Sequence, residues 1–233
     1  MQKYFLVLAA LMGGMWTDGS QAAIVGTQFD STTGFSGAGE IAPSTNDLLT
    51  GLIQTGSTFA DQENLGTDTT SVSLTNGQFG PPSLTPAPGP NPQVAIIGAN
   101  QSLTYTLGNG PSGLGYTVSE FRGYSGWQDP GRVRQDFILA YSTVADPATF
   151  IQLIEYHGTA NTQNELTVVR DSLGATIPGV YAIQFRTPGD VQNGYVGWRE
   201  FDLIGTATVP EPGLVGLLCV GGTLCVLGRR RRA

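Results

Sequence analysis

Apolar and polar positions alternate with a period of two in places along the body of the chain, and no long stretch there follows the helical period. Ile183 and Phe185 alternate with Gln184 and Arg186, and Phe201 and Leu203 alternate with Glu200 and Asp202. A strand puts successive side chains on opposite faces, so this pattern predicts one apolar and one wet face. Runs rich in β-branched and aromatic residues, separated by Gly, Pro, Asn and Asp, predict strands near Thr70–Leu74, Ser102–Leu107, Tyr116–Tyr124, Gln135–Ser142, Phe150–His157, Glu165–Val169, Val180–Arg186 and Arg199–Gly205. Strands of this spacing predict an all-β antiparallel sandwich of the jelly-roll kind. Asp47–Ile53 predicts a short helical turn. The six prolines of Pro81–Pro92 exclude a central strand and predict an exposed polyproline-like loop. Neither side of that loop has enough strands to close a core alone, so it is not a domain boundary. No fixed-period repeat suggests a solenoid.

Both ends break the pattern. Gly213–Gly228 carries no charge, and Thr223 is its only polar side chain. As a helix it would span roughly 24 Å, a little short of the ~30 Å hydrocarbon core. Pro210 and Pro212 bar the helix from running backwards. Arg229, Arg230, Arg231 and Arg232 resist entering lipid and would hold that end in the cytoplasm. The segment reads as a transmembrane stop signal; the alternative is a basic, solvated tail. At the other end, Lys3 precedes the mostly apolar Tyr4–Met15, and Ser20-Gln21-Ala22 offers small residues for cleavage between Ala22 and Ala23. That is the layout of a secretory signal peptide. The expected organisation is a signal peptide over 1–22, a single domain over 23–208 and a sorting tail over 209–233.

Pro210-Glu211-Pro212, an apolar span and an arginine cluster, in that order, resemble the PEP-CTERM sorting signal of Gram-negative-type bacteria. The resemblance implies recognition and removal of the tail by an exosortase, a membrane-bound cysteine protease of transpeptidase type. It also implies transient C-terminal anchoring in the bacterial membrane, then delivery to the cell surface or extracellular matrix. The same tail is also called an ice-binding protein C-terminal domain. That name alone suggests ice binding, and the chain lacks the regular Thr-x-Thr rows that would support it.

Composition narrows the partners of the body. Between Ala23 and Thr208 there are 16 acidic residues and 6 arginines, and Lys3 is the chain's only lysine. Such a surface disfavours nucleic acid and anionic lipid and suits cations or neutral sugars. Both cysteines, Cys219 and Cys225, lie in the apolar tail, leaving the body without a disulfide or a thiol nucleophile.

From Ser102 to Thr206 the chain is similar to the discoidin branch of the galactose-binding-like fold. The matching stretches are Ser102–Gly108, Tyr116–Tyr124, Asp136–Ser142, Val180–Arg186 and Trp198–Gly205. The resemblance implies an eight-stranded antiparallel jelly roll whose loops at one end bind sugars, lipids or proteins, often beside a structural Ca²⁺. It departs from the family in lacking the disulfide that joins the two ends in many animal members, and Ala23–Gly66 matches poorly.

Chemistry has few places to sit. A serine-type triad would need His157, the only histidine, and no nucleophile-elbow sequence lies near a serine. A zinc site built from several His or Cys is excluded by count. No spacing singles out a pair of glycosidase carboxylates, so a non-enzymatic role is expected, with a carbohydrate-active enzyme as the alternative. The most distinctive loop is Ser125–Arg132. Trp127 suits stacking on a sugar ring, and Asp129 and Arg132 suit hydrogen bonds to hydroxyls. Tyr195 and Trp198 offer a second aromatic wall. The competing reading is structural: Trp127 closes the end of the sandwich, and Arg132 or Arg199 pairs with Asp129 or Glu200. Asp61, Glu63 and Asp68 are candidate oxygen ligands for a structural Ca²⁺, without a recognised calcium-loop motif. The expected role is a binding or structural module for exopolysaccharide or a cell-surface glycan.

Overall fold

A computed structural model describes residues 23–31, 44, 46–56, 74–77, 95–126, 130–159 and 164–210. Its strands are β1 (Ile24–Ser31), β2 (Thr55–Gly56), β3 (Ala95–Gly98), β4 (Ser102–Thr106), β5 (Tyr116–Gly126), β6 (Asp136–Thr143), β7 (Asp146–His157), β8 (Asn164–Asp171), β9 (Ile177–Arg186) and β10 (Tyr195–Ala207). All pairings are antiparallel. One half of the sandwich runs β1-β8-β5-β10-β3 and the other β7-β6-β9-β4-β2. They join where the start of β5 meets β9, at Tyr116↔Val180 and Val118↔Ile177.

The halves face each other across an aromatic core. Phe121 of β5 lies 5.9 Å from Phe137 of β6, and Phe201 of β10 lies 4.6 Å from Phe185 of β9, centroid to centroid. Trp198 meets Phe185 edge-on at 4.9 Å, the offset geometry that aromatic quadrupoles favour. Trp198 and Phe201 are three residues apart, yet both point inward. A register shift between Trp198 and Glu200 explains this: the extra residue of the bulge resets the alternation.

The wet face expected on β10 is absent. Glu200 and Asp202 are fully buried, because residues 44–52 and 74–77 lie over them. These segments also complete the strand's second edge beyond β3. Phe201 N–H donates to Leu74 O at 2.7 Å, Leu48 N–H donates to Leu203 O at 2.9 Å, and Leu203 N–H donates to the Asp47 carboxylate at 2.7 Å. An inner strand needs partners on both edges. The expected helical turn at Asp47–Ile53 is instead a series of tight turns with Leu49 buried beneath them. Leu74 of the expected strand at Thr70–Leu74 lies in a turn. Residues 70–73 and the loop at 81–92 lie outside the described residues. So do the signal-peptide and sorting-tail residues, apart from Ala23, Val209 and Pro210. Among the described residues, no helix is long and apolar enough to cross a membrane.

Candidate functional site

Two loops predicted to cooperate do converge at one end of the sandwich. The β5–β6 loop contains a 3-10 turn at Pro130–Arg132, and the β9–β10 loop contains one at Gln192–Gly194. The Gln192 side-chain oxygen accepts both Val133 N–H (3.1 Å) and Arg134 N–H (3.0 Å). Asn193 Nδ2 donates to Gly131 O at 2.8 Å. Asn193 reaches this position in the left-handed region, at φ 49°, a conformation that Asn tolerates better than most residues. The two loops are therefore stitched by side-chain amides.

The base of the first loop is also fixed. Ser125 Oγ donates to Val133 O at 2.6 Å, closing the loop at its neck. The Gln135 amide donates to Gly123 O and Glu165 O, tying the neck to β5 and β8. At Gly126 a side chain is excluded, because a Cβ would run into the Arg199 guanidinium and the Asn164 amide. Arg199 is buried under this neck, and burial pulls its pKa down to about 10.

The predicted ligand residues fare differently. Arg132 sits half-buried in the clamped loop. Tyr195 is half-buried at the start of β10, its ring lying across Gly98 of β3. Trp198 is a correction: fully buried and packed on Phe137, Phe185 and Phe201, it is core and presents no face to a ligand. Trp127 and Asp129 lie outside the described residues. Gln192 was missed, because an amide that accepts backbone N–H groups leaves no sequence signature. His157 Nδ1 lies 3.4 Å from Asp136 and Nε2 lies 3.4 Å from Glu155, so carboxylates engage the ring at the surface. A cavity between the sheets is walled by apolar residues such as Ile24, Val118, Leu153 and Ile177 and lies away from both loops.

A second cluster was also missed. Asp47, Glu200 and Asp202 each place a carboxylate oxygen within 4.8 Å of the others. Burial raises the Asp47 pKa. Burial, then the nearby Asp47 charge, raises that of Asp202 to about 6 against the pull of Ser44 N–H. Asp202 Oδ2 accepts Ser44 N–H and the Tyr124 hydroxyl, but Asp202 Oδ1 is buried with no hydrogen-bond partner among the described residues. An orphaned carboxylate oxygen beside two further carboxylates fits a hard, oxygen-seeking cation such as Ca²⁺. The readable signal was Asp47-Leu48-Leu49, where the Asp47 side chain accepts the N–H two residues on (2.9 Å). The earlier candidates Asp61, Glu63 and Asp68 lie outside the described residues.

No family model matches the chain, and no curated protein matches it. Solved structures do. One is a carbohydrate-binding module of Clostridium perfringens, CpGH89CBM32-5, in complex with GalNAc-β-1,3-galactose. It is 12% identical, with a TM-score of 0.43, over 65% of this chain and 93% of that one. Another is the CBM32 of AlyQ in complex with 4,5-unsaturated mannuronic acid, 13% identical, TM-score 0.42, over 65% and 92%. A third is the family 32 module of C. perfringens NanJ in complex with galactose, 11% identical, TM-score 0.42, over 64% and 90%. The ligands named are those of the matched proteins.

Proposed function

We infer that this protein is an exported, non-catalytic β-sandwich module of the bacterial cell surface or extracellular matrix, and that its clamped end loops bind a glycan. The observation that carries this is the amide stitching of the Arg132 loop to the Tyr195 loop. It draws the segment bearing the Arg132 cation against the segment leading into half-exposed Tyr195 before any ligand arrives, which reduces the ordering that binding must impose. Trp127 and Asp129, next along the same loop, supply a stacking face and an acceptor. A pyranose has one apolar face and a ring of hydroxyls, which suits this mixture. The two-ended address brings the body out of the cytoplasm and anchors it through Gly213–Gly228 until an exosortase acts at Pro210-Glu211-Pro212.

Galactose- and GalNAc-containing oligosaccharides and the organism's own exopolysaccharide are the first probes. The full-length protein binds at least one of them, and Trp127→Ala and Tyr195→Ala each weaken binding at least tenfold while leaving the melting temperature within a few degrees. Binding to no glycan, or equal binding by the variants, overturns the reading. Fractionation from the native cell type places the protein outside the cytoplasm with its leader removed. A cytosolic protein with both termini intact overturns the address.

Asp47, Glu200 and Asp202 are the residues we assign to a structural Ca²⁺. The ion would offset three buried negative charges and pin the 44–52 segment to β10. Saturating Ca²⁺ raises the Tm of chelator-treated protein by roughly 5 °C or more, and Asp202→Asn abolishes the rise. An unchanged Tm in wild type removes the ion from the account.

A further inference from the structure

The end of the sandwich opposite the clamped loops is built unlike the rest of the surface. Both ends of the described body meet there. Thr208 N–H donates to Gly115 O at 3.0 Å, and Ser112 Oγ donates to Thr208 O. Ala23 is tied to Ser172 through both its N–H and its carbonyl. The Val118↔Ile177 pair brings the β4–β5 loop beside the β8–β9 loop. Leu107–Gly115, Ser172–Thr176 and Ala207–Pro210 thus share one end, and none of them carries a charged side chain. The β6–β7 turn packs beside them, where Val144 N–H donates to Gly179 O, and brings one exposed acid, Asp146.

What these segments expose is apolar. Leu114 is 42%, Leu173 63% and Val209 75% exposed. Asp171 is turned into its own loop, where its carboxylate accepts Leu173 N–H (2.8 Å) and Ala175 N–H (3.1 Å). The opposite end carries Arg132, Arg134 and Asp190 in its loops. Large exposed aliphatic groups carried on three charge-free loops mark a surface that meets a less polar medium.

The chain says which medium. Pro210 is the last described residue, and the uncharged Gly213–Gly228 segment begins three residues later. Three residues reach at most about 10 Å when extended. While the tail is in the bilayer, no other face of the body can be closer to lipid. The geometry points to Leu114, Leu173 and Val209 forming a docking surface for the lipid interface of the membrane that the tail enters. This rests on the anchoring tail proposed above. The partner is the interfacial layer of a zwitterionic bilayer, because an acidic body gains nothing from anionic headgroups. Docked this way, the molecule presents the Arg132–Tyr195 loops outward.

The test uses the full chain reconstituted in phosphatidylcholine nanodiscs. An environment-sensitive fluorophore is placed at Leu173→Cys, Leu114→Cys or, as a control at the far end, Asp190→Cys, each with Cys219→Ser and Cys225→Ser. A separate sample carries the fluorophore on native Cys219 with Cys225→Ser. Lipids spin-labelled near the headgroup quench the probes at 173 and 114 at least threefold more than the probe at 190, and lipids spin-labelled near the bilayer centre quench Cys219. If Cys219 is quenched while 173 and 114 match 190, the body stands clear of the membrane and this inference alone falls. If Cys219 stays in water, the anchoring tail falls and this inference with it. A blue shift at 173 that grows with protein concentration and resists quenching shows that a second copy covers the surface, which also overturns the lipid assignment.

Discussion

Trp198 and Tyr195 are separated by two residues, and the structure gives them opposite roles. Replacing Trp198 with Ala empties space among Phe137, Phe185 and Phe201 and costs about 3–5 kcal/mol in urea unfolding. Tyr195→Ala leaves that midpoint nearly unchanged, because its ring is half-exposed. The sequence made both look like candidate ligand aromatics, since each flanks a glycine-rich turn. Nothing in Trp198-Arg199-Glu200-Phe201 reveals the bulge that sends both Trp198 and Phe201 inward. Asp202 supplies a pH signature. Its folded pKa, about 6, lies above the ordinary 3.8, chiefly through burial. The folded state therefore holds this proton more tightly than the unfolded one. The stabilising contribution is complete below about pH 3.8 and is lost as pH rises through about 6. In chelator, the stability difference between wild type and Asp202→Asn changes by on the order of 2 kcal/mol between pH 4 and pH 7.5. A difference independent of pH would show that folding leaves the Asp202 pKa at its ordinary value.

At the level of elements, the loop clamp and its neck can be taken apart separately. Gln192→Ala strips the partner from Val133 N–H, which is buried, and from Arg134 N–H. It costs about 1–3 kcal/mol and raises amide exchange across 130–134. Gly126→Ala forces a Cβ against the Arg199 guanidinium and destabilises the neck whether or not ligand is present, as read by thermal unfolding. Strands β4 to β10 were legible from their runs of β-branched and aromatic residues, with stretches of clear alternation in β9 and β10. β1 and β3 were not, for opposite reasons. β3 is buried at all four positions, so Ala95–Gly98 shows no alternation to read. β1 inverts the usual polarity: Val25 and Phe29 face outward, while Gln28 is turned in and holds Thr159 through its amide in both directions. The acidic cluster was hidden in the same way, since Glu200 and Asp202 carry the pattern of a wet face that a distant segment then covers.

Across the whole molecule, β10 runs from the clamped loops at Tyr195 to the apolar end at Ala207, about 40 Å at ~3.3 Å per residue. It therefore links the proposed glycan loops, the acidic cluster and the proposed lipid-facing surface on one element. It is also the last strand among the described residues, and it pairs with β3 and β5, meets residues 47–48 and 74, and lends Trp198, Phe201 and Leu203 to the core. β3 and the outer edge of β5 stay unpaired until it arrives. In the export proposed above, a chain threaded from its front end would leave this sandwich open at β3 and β5 until nearly all of it had passed through. On that proposal, folding and arrival would become one event: the strand that seals the body stands only a few residues ahead of the segment that would halt it.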